Sequence, residues 1–198
     1  MASFWNKRTA ITTGVAITLL GAYYIYQSPI PITYTMSNSS ASNSVPGLEF
    51  TLEQMSRNPP ALLVTLKNHS PDTPYTLLKW GTPLDSAALN TGVFKIVDGG
   101  SGEEVEQVVL QINRKMPPPQ DELVTIAPGT QEEITVTFDK PWMPERKPAK
   151  YKVKAEGDFK GVWDKYGADV SEDDLSAYVQ SPFGGKRFAT NEVVMEVH

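Results

Sequence analysis

Strict two-residue alternation of apolar and polar side chains is the feature that most constrains this chain. In Glu133-Ile134-Thr135-Val136-Thr137-Phe138, the residues Ile134, Val136 and Phe138 share one face of an extended strand while Thr135 and Thr137 share the other. Tyr151, Val153 and Ala155 repeat the pattern against Lys150, Lys152, Lys154 and Glu156. A helix would scatter these side chains around its circumference, whereas a half-buried strand gives each set one environment. The same pattern predicts strands at 61–67, 75–80, 93–97, 105–112, 122–126, 132–138 and 150–155, and a closing strand at 191–197.

Turn chemistry separates these segments. Asp98-Gly99-Gly100-Ser101-Gly102 offers residues that tolerate positive φ and reads as a hairpin turn, and Pro128-Gly129-Thr130 reads as a second turn. The single helical candidate is short: Ser171 caps it, Asp174 answers three residues later, and Leu175, Tyr178 and Val179 fall at helical spacing. It is expected to plug an end of the domain. The expected fold is all-β, an antiparallel β-sandwich of immunoglobulin-like kind with one short helix, forming a single domain over 48–198.

Ahead of that domain the chain divides differently. Residues 1–9 form a basic flank containing Lys7 and Arg8, and an apolar-rich run follows within 10–32. Its aromatic end, Tyr23-Tyr24-Ile25-Tyr26, and the bulky Leu20 beside Gly21-Ala22 favour an uncleaved signal anchor over a cleaved signal peptide. The expectation is therefore a hydrophobic helix that makes the membrane a partner and leaves the C-terminal domain extracellular or lumenal in a single-pass protein. Secretion is the alternative. Residues 33–47 are Ser/Asn-rich and read as a linker. Asn38-Ser39-Ser40 and Asn68-His69-Ser70 are N-glycosylation sequons, which makes Asn38 and Asn68 candidate glycan acceptors.

The chemistry of the chain narrows its function by exclusion. A net charge of −5 without a basic aromatic cluster argues against a nucleic-acid surface. Cysteine is absent, which removes thiol nucleophiles, redox pairs and thiolate metal sites. The only histidines are His69 and His198, and no Gly-x-Ser-x-Gly elbow is present, so neither a serine triad nor a zinc centre has its parts. The carboxylates Asp158, Asp164, Asp169, Glu172, Asp173 and Asp174 read as a solvated group, since acid/base catalysis needs two carboxyls with separated pKa values. No enzyme activity and no cofactor are expected. Trp80, Leu84, Trp142, Phe183, Lys186 and Arg187 stand out instead as a candidate protein-interaction surface, because large aromatics anchor partners at low entropic cost.

Tyr75-Thr76-Leu77-Leu78-Lys79-Trp80-Gly81-Thr82-Pro83-Leu84-Asp85 resembles a passage in the non-catalytic amino-terminal region of deuterolysin and peptidyl-Lys-type zinc metalloendopeptidases, the aspzincins. Similar stretches continue at 92–97, at 108–115, in Asp121-Glu122-Leu123-Val124-Thr125-Ile126-Ala127-Pro128-Gly129, at 134–138, in Tyr151-Lys152-Val153 and in Asn191-Glu192-Val193, so the likeness covers about residues 48–197. The resemblance implies a β-sandwich pro-region that restrains or helps fold a metalloprotease. The zinc signature His-Glu-x-x-His is absent, and none of the family's catalytic residues carries over. The expected role is a non-catalytic protein-binding domain whose partner is a zinc endopeptidase supplied in trans. The alternative is a membrane-tethered structural or adhesion module with no protease partner.

Overall fold

The computed structural model describes residues 43–198. Strands β1 (Leu48–Arg57), β2 (Pro60–Asn68) and β6 (Gln131–Thr137) form one sheet in the order β1-β2-β6. Strands β4 (Phe94–Asp98), β7 (Ala149–Asp158) and β10 (Val193–Val197) form a second in the order β10-β7-β4, and β9 (Arg187–Ala189) pairs with the far end of β7. A third sheet orders β5 (Leu123–Ile126), β3 (Tyr75–Leu78) and β8 (Val162–Trp163) as β5-β3-β8. Every pairing between these strands is antiparallel.

Side-chain alternation decides which face of each strand enters the core. Along β2, Leu62, Val64 and Leu66 point inward and are fully buried, and along β7 Tyr151, Val153 and Ala155 do the same while Lys150 and Lys152 face water. These residues meet Phe50, Leu52, Phe94, Ile96, Phe138, Phe188 and Met195 in the main core. Within it Phe50, Phe159 and Phe188 make a three-ring cluster with centroids 5.2–6.1 Å apart.

Two carboxamides join β1 to the last strand. Asn191 donates to the Leu52 carbonyl and accepts from the Leu52 N–H (3.0 and 2.8 Å), and Gln54 makes the same double bond with Glu196 (2.7 and 3.0 Å). Each side chain substitutes for a peptide group, so the first and second sheets are linked by polar contacts in addition to core packing.

A smaller apolar cluster of Leu78, Trp80, Trp163, Val170 and Leu175 lies beside the main core. The short helix α1 (Glu172–Ser176) covers it with Leu175, as its spacing predicts. The reciprocal cap is present: Asp174 N–H donates to Ser171 Oγ (3.1 Å), and Ser171 N–H donates to the Asp174 carboxylate (2.9 Å).

Four expectations change. The segment 105–112 is not a strand; it follows the edge of β4 only at its start, where Val105 N–H reaches the Ile96 carbonyl (2.8 Å). The Gln107 side chain then takes the Phe94 carbonyl (2.8 Å), so the next ladder position is occupied by a side chain and backbone pairing stops. The loop before β9 does not protrude freely, because Phe183 packs edge-on against Tyr75 (5.7 Å) and the Gly185 N–H and Lys186 carbonyl are both bonded to Phe159. Asn68 is buried, as described below. Finally, the expected membrane-spanning helix is not found: among the described residues no helix is long and apolar enough to cross a membrane. Residues 10–32, on which that expectation rests, and the sequon asparagine Asn38 lie outside the described residues.

Surface charge ties the sheets to pH. Hydrogen bonds from Lys95 and then Lys154 hold the Glu156 carboxyl below its ordinary range. Lys165, followed by the Ser171 amide and hydroxyl, brings Asp174 down to about 2. The Ser101 and Gly100 amides lower Asp98, and Lys150 lowers Glu196. In each case the folded-state value lies below the unfolded one, so the unfolded chain binds more protons on acidification. The stabilisation is present above the ordinary carboxylate range and is lost as pH falls through the folded values. The urea midpoint is therefore expected to fall steadily from about pH 4.3 down to about 2. Asp174→Asn should flatten the lowest part of that curve. A midpoint independent of pH across this window would contradict the assignment.

Candidate functional site

The segment Lys79-Trp80-Gly81-Thr82-Pro83-Leu84-Asp85 leaves β3 and closes on itself. Thr82 donates through both its N–H and its hydroxyl to the Lys79 carbonyl (3.0 and 2.7 Å), and the Thr82 hydroxyl oxygen accepts from Leu84 N–H (3.2 Å). The Asp85 carboxylate, whose side chain is fully buried, accepts from Gly81 N–H (3.0 Å) and Ala87 N–H (2.9 Å). Gly81 sits at φ +70°, the left-handed conformation that lets its N–H turn back toward Asp85.

Arg114 completes this turn from a distant part of the chain. Its guanidinium donates to Asp85 Oδ2 at 2.5 Å and lies over the Trp80 ring, 5.3 Å from the centroid. Tyr178 meets the same indole edge-on at 6.0 Å. Trp80, Arg114 and Tyr178, together with Met116, Asp158 and Lys160, line a surface groove of about 620 Å³. Its walls combine aromatic faces, an exposed thioether and charges of both signs, a composition suited to holding part of a protein chain.

The expected interaction residues do not converge on one surface. Trp80 lines the groove but is only 6% exposed, and Leu84 at 5% belongs to the main core. Trp142 and Phe183 are half-buried and pack against that core. Arg187 is exposed at the start of β9, its guanidinium 4.0 Å from Asp158, and the half-buried Lys186 precedes it. Trp80 is thus the link between the expected residues and the groove. Asp85 and Arg114 were not singled out from sequence, because the pair spans 29 positions and no local pattern reports it.

Asn68 is not a glycan acceptor in the folded domain. Its carboxamide is fully buried, Nδ2 donates to the Thr73 and Ile126 carbonyls (2.8 and 3.1 Å), and Oδ1 accepts from Ser70 N–H (2.9 Å). Both amide hydrogens are engaged inside the fold, so no attachment point faces solvent.

The histidines stand apart from the groove. His69 lies 2.7 Å from Glu49 at the β1–β2 pair, and His198 lies 4.0 Å from Glu196 at the end of β10. Among the described residues no group of His, Cys, Asp and Glu is arranged to hold a metal ion.

A family model described as an immunoglobulin-like domain matches residues 47–197. An uncharacterized secreted protein of Arthroderma benhamiae is 33% identical over 138 residues, covering 68% of this chain and 68% of that protein. That relative is described as secreted, which overturns the single-pass, membrane-anchored placement and the membrane as a partner. The described sheets and the matched span agree on an immunoglobulin-like domain. Over nearly its whole described length, the chain belongs to the immunoglobulin-like domain family.

Proposed function

We propose that this is a secreted, non-catalytic protein-binding domain that restrains an aspzincin-type zinc endopeptidase, or assists its folding, in trans. The observation that carries the binding role is the groove at the Trp80–Arg114 turn, where aromatic faces and an exposed Met116 sit among fixed charges. The protease class rests on the resemblance of 48–197 to aspzincin amino-terminal regions, which runs through the same Lys79–Asp85 turn. Secretion follows the secreted relative.

The test adds the purified chain to an aspzincin endopeptidase and follows peptide cleavage and refolding yield. The expected result is saturable inhibition, or a higher yield of active enzyme on refolding. Met116 is 54% exposed, so Met116→Glu should weaken binding by about tenfold while leaving the thermal midpoint unchanged. No binding, no inhibition and no refolding effect would refute the reading and leave a structural or adhesion module.

A further inference from the structure

Alongside β4, the edge strand of the β10-β7-β4 sheet, runs the ribbon that follows the 98–102 turn and pairs with β4 only at its start. Its middle, Val108-Val109-Leu110, exposes large apolar side chains at 59, 61 and 50%. Beyond Val105 the ribbon's only backbone hydrogen bond among the described residues is from Leu110 N–H to the Asn90 carbonyl (2.7 Å). The N–H and C=O groups of Val108, Val109, Gln111 and Ile112 have no partner among the described residues. Edge segments of soluble domains are ordinarily protected by a central charge, a proline or a bulge. Between 107 and 113 this one carries no charge and no proline.

Charge along the ribbon selects its occupant. Glu103, Glu104 and Glu106 precede the apolar middle, and Arg114 and Lys115 follow it. Laid antiparallel on its own copy, the ribbon sets its acidic end against the partner's basic end and its apolar middle against itself. A parallel arrangement would oppose like charges. Arg114 is held by Asp85, whereas Lys115 is exposed and makes no ion pair among the described residues, so it is the cation available to the second copy.

We propose that the 103–115 ribbon is a self-association edge, through which two copies of this chain pair antiparallel about a two-fold axis at Val109. The unpaired peptide groups at 108–112 supply the ladder, the exposed valines and leucine supply the buried centre, and the opposed Glu and Lys ends fix direction. The 112–114 end of the ribbon also lines the Trp80 groove, so association is measured on the chain alone, with no groove partner added.

Sedimentation equilibrium of the full chain should show a reversible monomer–dimer equilibrium. Amide exchange at 107–113 should slow as concentration rises. Lys115→Glu alone, or Glu103→Lys alone, should weaken the dimer by about tenfold, since an axis at Val109 sets 103 opposite 115 and each change then opposes like charges twice. Mixing the two reversed variants should restore pairing as a heterodimer. Val109→Lys should abolish association while leaving the thermal midpoint unchanged, because its side chain is exposed. A chain that sediments as a monomer at every concentration overturns the proposal. So does association that survives Val109→Lys, or reversed variants that fail to pair when mixed.

Discussion

Replacing Asp85 by alanine is expected to lower the unfolding free energy by about 3–5 kcal/mol. The carboxylate is fully buried and serves three donors: Gly81 N–H, Ala87 N–H and the Arg114 guanidinium. Alanine leaves two peptide N–H groups and a cation that is only 20% exposed without their acceptor. Asp85→Asn retains one oxygen and should cost less, because it can still serve an amide donor. The double variant Asp85→Ala, Arg114→Met should recover part of the loss, since removing both charges avoids leaving one stranded. Urea unfolding measures this directly, with the midpoint moving and the slope unchanged. A loss below about 1 kcal/mol for Asp85→Ala would mean that the turn relaxes and water solvates Arg114. The groove should change with the turn, because Arg114 covers Trp80 only while Asp85 holds it.

How far the sequence reveals this molecule depends on the range of each interaction. Strands β2, β6 and β7 are legible because two-residue alternation is a property of the strand itself, and Leu62, Val64, Leu66, Tyr151 and Val153 enter the core where that period puts them. Strand β1 carries the same signal in Phe50 and Leu52, but its alternation is diluted by Gln54, Met55 and Ser56 around a register shift. Strands β8 and β9 are two and three residues long, too short for any period. The ribbon at 105–112 is apolar and β-branched like a strand yet does not pair like one, because the Gln107 side chain intercepts the Phe94 carbonyl. The site was visible only through Trp80. Its closure by Asp85 and Arg114 is a tertiary contact, set by how the chain returns to the turn.

Asn68 offers the sharpest separation between a sequence motif and its structural use. The sequon marks it for a glycan, but the period of β2 puts it on the same face as Leu62, Val64 and Leu66, and there it is fully buried. Its carboxamide joins the end of β2 to the 69–73 turn and to the end of β5. Asn68→Ala is expected to cost about 2–4 kcal/mol, because the buried end of β2 loses all three bonds that its carboxamide makes to Thr73, Ile126 and Ser70. Asn68→Asp should be worse near neutral pH, where a carboxylate would face the two carbonyl oxygens that the amide now serves. Burial among acceptors raises the folded-state pKa of that new acid above its unfolded value of about 3.9. Its stability is then greatest below the unfolded value and is lost as pH rises through the folded one. The gap between Asn68→Asp and the parent chain should therefore narrow on acidification, the opposite of the trend set by Glu156 and Asp174. Urea midpoints of both proteins across that range test the sign, and a constant gap would show that the introduced acid is solvated. Mass spectrometry of the secreted protein should find Asn68 unmodified, and a glycan there would contradict the buried carboxamide outright.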